Sequence, residues 1–134
     1  MHKKDIIRIQ QVMKPNFDLV DGLDTVEQAL GTMKHRDNKC LIVKKRHEND
    51  EYGIVMISDI AYQVLAQDRA PERVNIYEIM SKPAITLHQE MDVRYAARLF
   101  ARFKLSRAPV VNHEHEVVGI VSLTDMVFKG LCHQ

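Results

Sequence analysis

Several things that would mark a specialised chain are scarce or missing. The charges nearly cancel: 19 Lys and Arg against 18 Asp and Glu leave a formal +1. Phosphate backbones are held by concentrated basic surface, so this balance gives no reason to expect nucleic acid as a partner. Cysteine is rare. Cys40 and Cys132 are only two, with no CxxC or metal-ligand spacing around them. That excludes a disulfide framework and fits a reducing cytoplasm. Apolar runs are short, none approaching the ~20 residues of a membrane helix. The opening Met1-His2-Lys3-Lys4-Asp5-Ile6-Ile7-Arg8 returns to polar residues too soon for a secretory signal. Catalytic signatures are lacking too: no Walker loop, no nucleophile–base pair at recognisable spacing and no paired carboxylates in one motif. An enzyme is therefore not expected.

What the chain does contain is a repeat. Gly53-Ile54-Val55-Met56-Ile57-Ser58-Asp59-Ile60 returns as Gly119-Ile120-Val121-Ser122-Leu123-Thr124-Asp125-Met126, a shift of 119 − 53 = 66 residues. Val12-Met13-Lys14-Pro15 returns as Ile79-Met80-Ser81-Lys82-Pro83, and Val26, Ala29 and Met33 match Val93, Ala96 and Phe100 at a shift of 93 − 26 = 67. The reading is a first repeat over 5–66, a polar linker over 67–74 broken by Pro71, and a second repeat over 75–131. Halves of this size are marginal alone and should share a core. Duplicated units build binding surface where the copies meet, so function is sought in the cleft between them.

Each half shows the same order of elements. In the second, Asn75 to Met80 reads as a short helix stopped by Pro83, and Ala84 to Leu87 as an extended piece. Asp92 caps a helix to about Lys104 that carries Val93, Ala96, Ala97 and Phe100 on one face. Val110-Val111 and Val117 to Val121 form a hairpin, and a last helix starts at Thr124, whose hydroxyl suits an N-cap. In the first, Asp24 and Glu27 stand in capping-box spacing. Leu41 to Val43 and Tyr52 to Ile57 form the hairpin, and Ser58-Asp59 opens the closing helix. The expected class is α/β, two β-α-β-β-α units.

The chemistry lies in the two octapeptides. Each places a glycine on a strand, where its missing side chain permits close approach, and an aspartate six residues on at a helix start, where amides and the helix dipole favour negative charge. An ionised carboxylate there can accept both hydroxyls of a ribose. Ser122 and Thr124 add hydroxyls near N-terminal amides, a setting suited to phosphate. The plainer reading of Asp59 and Asp125 is as helix-start residues, contributing roughly 0.3–1 kcal/mol. Both readings stand on the sequence.

With these motifs in place, the chain resembles a pair of CBS domains, the cystathionine-β-synthase-type repeat that forms a Bateman module. The stretch from Ser106-Arg107-Ala108-Pro109-Val110-Val111 to Asp125 is similar to the last repeat of the regulatory gamma subunits of AMP-activated kinases. The resemblance implies one module of two repeats packed with pseudo-twofold symmetry and a regulatory role. The implied ligand is an adenosine compound, AMP first and then ADP, ATP or S-adenosylmethionine, with no required cofactor. It gives Asp125 the ribose, Ser122 and Thr124 the phosphate side next to Gly119, and Arg107, ahead of Pro109, a basic phosphate contact. Ile85 and Thr86 would flank the adenine. In the first copy Met56 replaces the serine, leaving Asp59 and Ser58, so the two clefts should be unequal. Related modules pair through their closing helices, which implies a homodimer acting on a further, regulated protein. The rival reading is a structural dimerisation module without a small ligand.

Remaining features read plainly. His113 and His115 share one turn and lack the further ligands of a closed metal site, so no metal is expected. Lys44-Lys45-Arg46-His47 is a solvated hairpin tip, and Cys40 a buried small hydrophobe.

Overall fold

Helix starts in this chain are set by side-chain caps. In the computed structural model, which describes residues 5–131, Asp92 accepts the Arg94 amide at 2.9 Å and opens the longest helix, Val93–Phe103. Val93, Ala96 and Phe100 turn inward from it, and Lys104 ends it in the left-handed region. The expected Asp24–Glu27 box lies one residue along. Thr25 accepts the Gln28 amide at 3.1 Å and the Gln28 side chain returns to the Thr25 amide at 2.8 Å. Asp24 is instead engaged in the preceding turn by the Asp21 amide.

In chain order the elements are α1 (Ile9–Val12), β1 (Leu19–Val20), α2 (Val26–Thr32), β2 (Cys40–Val43), β3 (Gly53–Met56), α3 (Ile57–Ile60), β4 (Leu87–His88), α4 (Val93–Phe103), β5 (Arg107–Val111), β6 (Val117–Ser122) and α5 (Leu123–Gly130). They form two three-stranded sheets, β1-β2-β3 and β4-β5-β6. In each the first pair is parallel and the second antiparallel. The central strand β2, and β5 after its leading Arg107, are apolar runs, as strands covered on both faces should be; Cys40 sits at 0% exposure in β2. The helix expected over 75–80 is a single 3-10 turn, Ile76–Glu78, capped by the Glu78 carboxylate on the Asn75 amide. The first closing helix is one α-turn that widens into a π-turn over Ala61–Leu65. No helix of the described residues is long and apolar enough to cross a membrane.

Two compact units result, and neither is a contiguous copy of the repeat. One is Phe17–Ala84; the other joins the residues before Phe17 to those from Ile85 onward. The segment leading each repeat is exchanged. Ile9 and Val12 lie in an apolar cluster with Leu87, Ala96, Phe100 and Val121, while Val74, Ile76 and Ile79 lie with Val26, Leu41 and Val55. Main-chain bonds fasten each leader: Ile9 N–H to Met91 O and Val93 N–H to Ile7 O in one unit, Ile76 N–H to Asp24 O and Val26 N–H to Val74 O in the other. Each unit thus has its own core, and the sharing expected between halves takes the form of a swapped segment.

Candidate functional site

The hairpin and closing helix of the second repeat bring the predicted residues to one end of a sheet. Antiparallel register sets Arg107 opposite Ser122, Pro109 opposite Ile120 and Val110 opposite Gly119. The parallel pairing of Leu87 with Val110 carries Thr86 and Ile85 toward the Arg107 end. Pro109 is buried, while Arg107, Ser122 and Thr86 are half-buried.

Ser122, rather than Thr124, is the N-cap of α5. Its hydroxyl accepts the Asp125 amide and donates to Asp125 Oδ2, both at 3.1 Å. The helix therefore starts at Leu123, and Thr124 lies one position inside it with its side chain exposed. The two hydroxyls stand two residues apart, and the strand's length decides between them: β6 runs one residue past Val121 and delivers Ser122 to the cap. Asp125 is only 7% exposed. Its second oxygen faces Lys129 Nζ at 3.6 Å, a residue the motif reading passed over although acid-before-base spacing at i, i+4 on a helix is a visible signal. A carboxylate offers about four lone-pair positions, so this one can still accept a ligand hydroxyl while keeping both partners.

Gly119 is a close-approach glycine, and the group that approaches is the chain itself. A β-carbon there would stand 2.5 Å from the Lys14 carbonyl oxygen and 2.8 Å from Met13 Sδ. Lys14 and Ile120 exchange main-chain bonds at 2.8 and 2.9 Å, so the leader meets β6 in a single antiparallel bridge. Gly53 serves the other leader similarly, with Met80 Sδ at 2.8 Å and the Ser81 carbonyl at 3.4 Å from its virtual β-carbon.

The first copy carries different chemistry at equivalent places. Opposite Met56 stands Cys40, where the second copy has Ser122 opposite Arg107. Met56 provides no cap bond; Asp59 reaches back and accepts the Met56 amide at 2.8 Å. Ser58 is exposed. At the positions matching Ile85 and Thr86 (85 − 67 = 18, 86 − 67 = 19) are Asp18 and Leu19. Asp18 is 9% exposed and its two oxygens accept the Lys34 and His35 amides, each at 2.8 Å. The basic hairpin tip is solvated as expected at Lys44, Arg46 and His47, with Asp50 Oδ2 taking Lys82 Nζ at 2.7 Å and lying 3.7 Å from Arg46 Nε and Lys45 5.0 Å over the Tyr52 ring. The Lys82 hydrogen bond, helped by the Arg46 and Glu51 amides, holds the Asp50 carboxyl well below the usual carboxylate range.

Known proteins share this fold. The CBS domain model matches residues 76–130. A hexameric CBS-CP12 protein from bloom-forming cyanobacteria superposes with a TM-score of 0.85 at 40% identity, over 92% of this chain and 71% of that one. An uncharacterized protein of Methanopyrus kandleri is 30% identical over 113 residues, which cover 82% of this chain and 57% of the relative. The fold also matches the CBS domain pair of protein MJ0100 in complex with 5'-methylthioadenosine and S-adenosyl-L-methionine. That match has a TM-score of 0.79 at 24% identity and covers 97% of this chain and 100% of that one. The chain spans 57%, 23% and 23% of the first three curated relatives' own lengths. With two duplicated units, each closing on the Gly-Ile-Val motif, and a 40% identical relative of which it covers more than two thirds, the chain belongs to the CBS-domain family as a tandem pair.

Proposed function

We propose that this CBS pair is a regulatory module whose second repeat binds an adenosine-containing ligand, AMP ahead of ADP, ATP and S-adenosylmethionine. The observation that carries this is the Arg107–Ser122 pair, set in direct register at the end of the sheet from which α5 and Asp125 begin. A cation at that place suits a phosphate, to which the Ser122 hydroxyl would turn from Asp125, and a carboxylate three residues on suits a ribose. Ile85 and Thr86 offer a mixed surface for the base. Cys40 and Met56 at the same register in the first copy offer neither charge nor hydroxyl, which supports one ligand per chain. The adenosine compounds held by the MJ0100 pair fit the same class. Regulation requires that the ligand favour one of two states of the module and so bias a second protein.

Titration calorimetry on nucleotide-stripped protein tests this. The expected result is one AMP per chain, with Asp125→Ala weakening it at least ~tenfold, the effect of losing a charge-assisted bond of about 1.5–3 kcal/mol. Wild-type affinity in a folded Asp125→Ala chain removes the ribose role.

A second reading has its own support. Tyr62, Leu65, Phe128 and Leu131 are 65–78% exposed on and beside the closing helices, and large exposed side chains of this kind mark association surfaces. A homodimer through these helices is the expectation, and the CBS-CP12 relative itself is hexameric. Sedimentation equilibrium that finds a monomer at tens of micromolar would remove it. A dimer that binds no adenosine compound would favour the purely structural module.

A further inference from the structure

The end of the β4-β5-β6 sheet away from Arg107 gathers a set of donors that the adenosine reading does not use. His88, Glu90 and His113 each present a ligand atom, and these atoms lie within 4.8 Å of one another. The sequence groups His113 with His115; the fold groups it otherwise. Parallel register sets His88 beside Val111, so the turn after β4 and the turn after β5 emerge side by side and bring Glu90 and His113 together. His113 Nε2 stands 2.6 Å from Glu90 Oε2, and the His88 and His113 rings meet edge to face at 4.7 Å.

We infer that this triad is a binding site for a divalent transition metal of the zinc class. Two imidazoles and one carboxylate form a donor set suited to Zn2+, Ni2+, Co2+ or Cu2+, whereas Mg2+ and Ca2+ prefer oxygen alone. Three protein ligands leave a further position for water. The backbone beneath each ligand is already held. Arg8 Nη1 donates to Glu90 O at 2.7 Å. The Gln89 amide bonds Val111 O, the Gln10 amide bonds Gln89 O and the Met91 amide bonds His88 O. On the other turn, Asn112 Oδ1 accepts the Glu114 and Glu116 amides at 3.0 and 2.9 Å. Ligands on a prefixed frame lose less conformational freedom when a metal arrives. To bind, His113 presents the Nε2 lone pair with its ring proton on Nδ1, and its contact with Glu90 gives way to the metal. His88 Nδ1 accepts the Glu90 amide at 3.2 Å, the long limit of a hydrogen bond.

The test is titration of chelator-stripped protein with ZnCl2 in a non-coordinating buffer, followed by calorimetry and by melting temperature, with Co2+ absorption reporting nitrogen and oxygen ligation. One ion per chain is expected, raising the melting temperature in wild type as binding to the folded state must. His113→Ala and His88→Ala should each weaken binding at least ~tenfold, and Glu90→Gln should weaken it too. His113 is 71% exposed, so its variant keeps the test valid even if His88→Ala folds poorly. His115→Asn, which keeps a residue tolerant of the positive φ of 60° at that position, should bind as wild type. No binding, binding unaffected by His113→Ala, or loss with His115→Asn would each overturn the assignment.

Discussion

The two copies of one motif have taken different employment at the same address. In the second, Ser122 closes a ring with Asp125, giving the cap a hydroxyl and leaving Arg107 across the strand. In the first, Met56 cannot cap, so Asp59 turns back to the Met56 amide and Cys40 stands across the strand. Both helices start at the same place in the repeat, which shows that the fold needs only one oxygen at this turn, from either end of the motif. The second copy's added hydroxyl–carboxylate bond and its cation exceed what the fold demands. A difference between duplicated parts that folding does not require is where function is best sought.

The comparison can be broken first at the exchanged leaders. Ile9 and Ile76 are both fully buried, and Ile→Ala at such sites typically removes about 2–5 kcal/mol. Ile9→Ala should loosen the unit containing the second copy's strands, and Ile76→Ala the first copy's. Hydrogen exchange of β5 and β2 amides respectively reports this; loosening of the mutated residue's own repeat instead would refute the exchange. The next effect separates the two glycines. Gly119→Ala forces a methyl against the Lys14 carbonyl, which cannot turn aside, and should cost about 3 kcal/mol. Gly53→Ala meets chiefly the mobile end of Met80 and should cost about 1 kcal/mol. Equal urea midpoints for the two variants would contradict this account.

A finer cut converts one copy's chemistry into the other's. Arg107→Cys with Ser122→Met should abolish measurable AMP binding. Met56→Ser alone should raise the occupancy or affinity of the first copy, since Ser58 and Asp59 are already there. Calorimetry showing two equivalent sites in wild type would end the argument for inequality. The smallest effect concerns Asp50 and Lys82, a pair with no counterpart because Pro15 stands where Lys82 does (82 − 67 = 15). Asp50 titrates below its ordinary value, chiefly through the Lys82 hydrogen bond. Its contribution is therefore present above the unfolded value of 3.8 and is lost as pH falls toward the folded one. Lys82→Met should lower the urea midpoint slightly at pH 7, and the gap from wild type should narrow only below about pH 3.8.

Much of this was legible in advance. Helix α4 carries its whole description in Asp92, its apolar spacing and its polar face, and the family follows from the repeated Gly-Ile-Val motif. What stayed hidden depends on pairings between distant segments. Nothing local to Ile9 and Ile76 tells which core they join, since the partner is chosen by register, which no local pattern encodes. The Cys40–Met56 and Arg107–Ser122 pairs are invisible for the same reason, as is the meeting of His88 and Glu90 with His113. Two hydroxyls, Ser122 and Thr124, stand close enough for either to cap α5, and the end of the strand settles the choice on Ser122.

The swapped leaders also set an order of events during synthesis. Phe17–Ala84 is one continuous stretch and can close once Ala84 has cleared the ribosome. The other unit joins Ile9 to Phe100 and Val121, so its leader must wait for residues made some 90 to 110 positions later. At about 5–20 residues per second, the 47 residues from Ala84 to Leu131 take roughly 2 to 10 seconds. During that interval the first unit can be complete while the other unit's leader still lacks its strand, so the unit that bears Asp125 closes second.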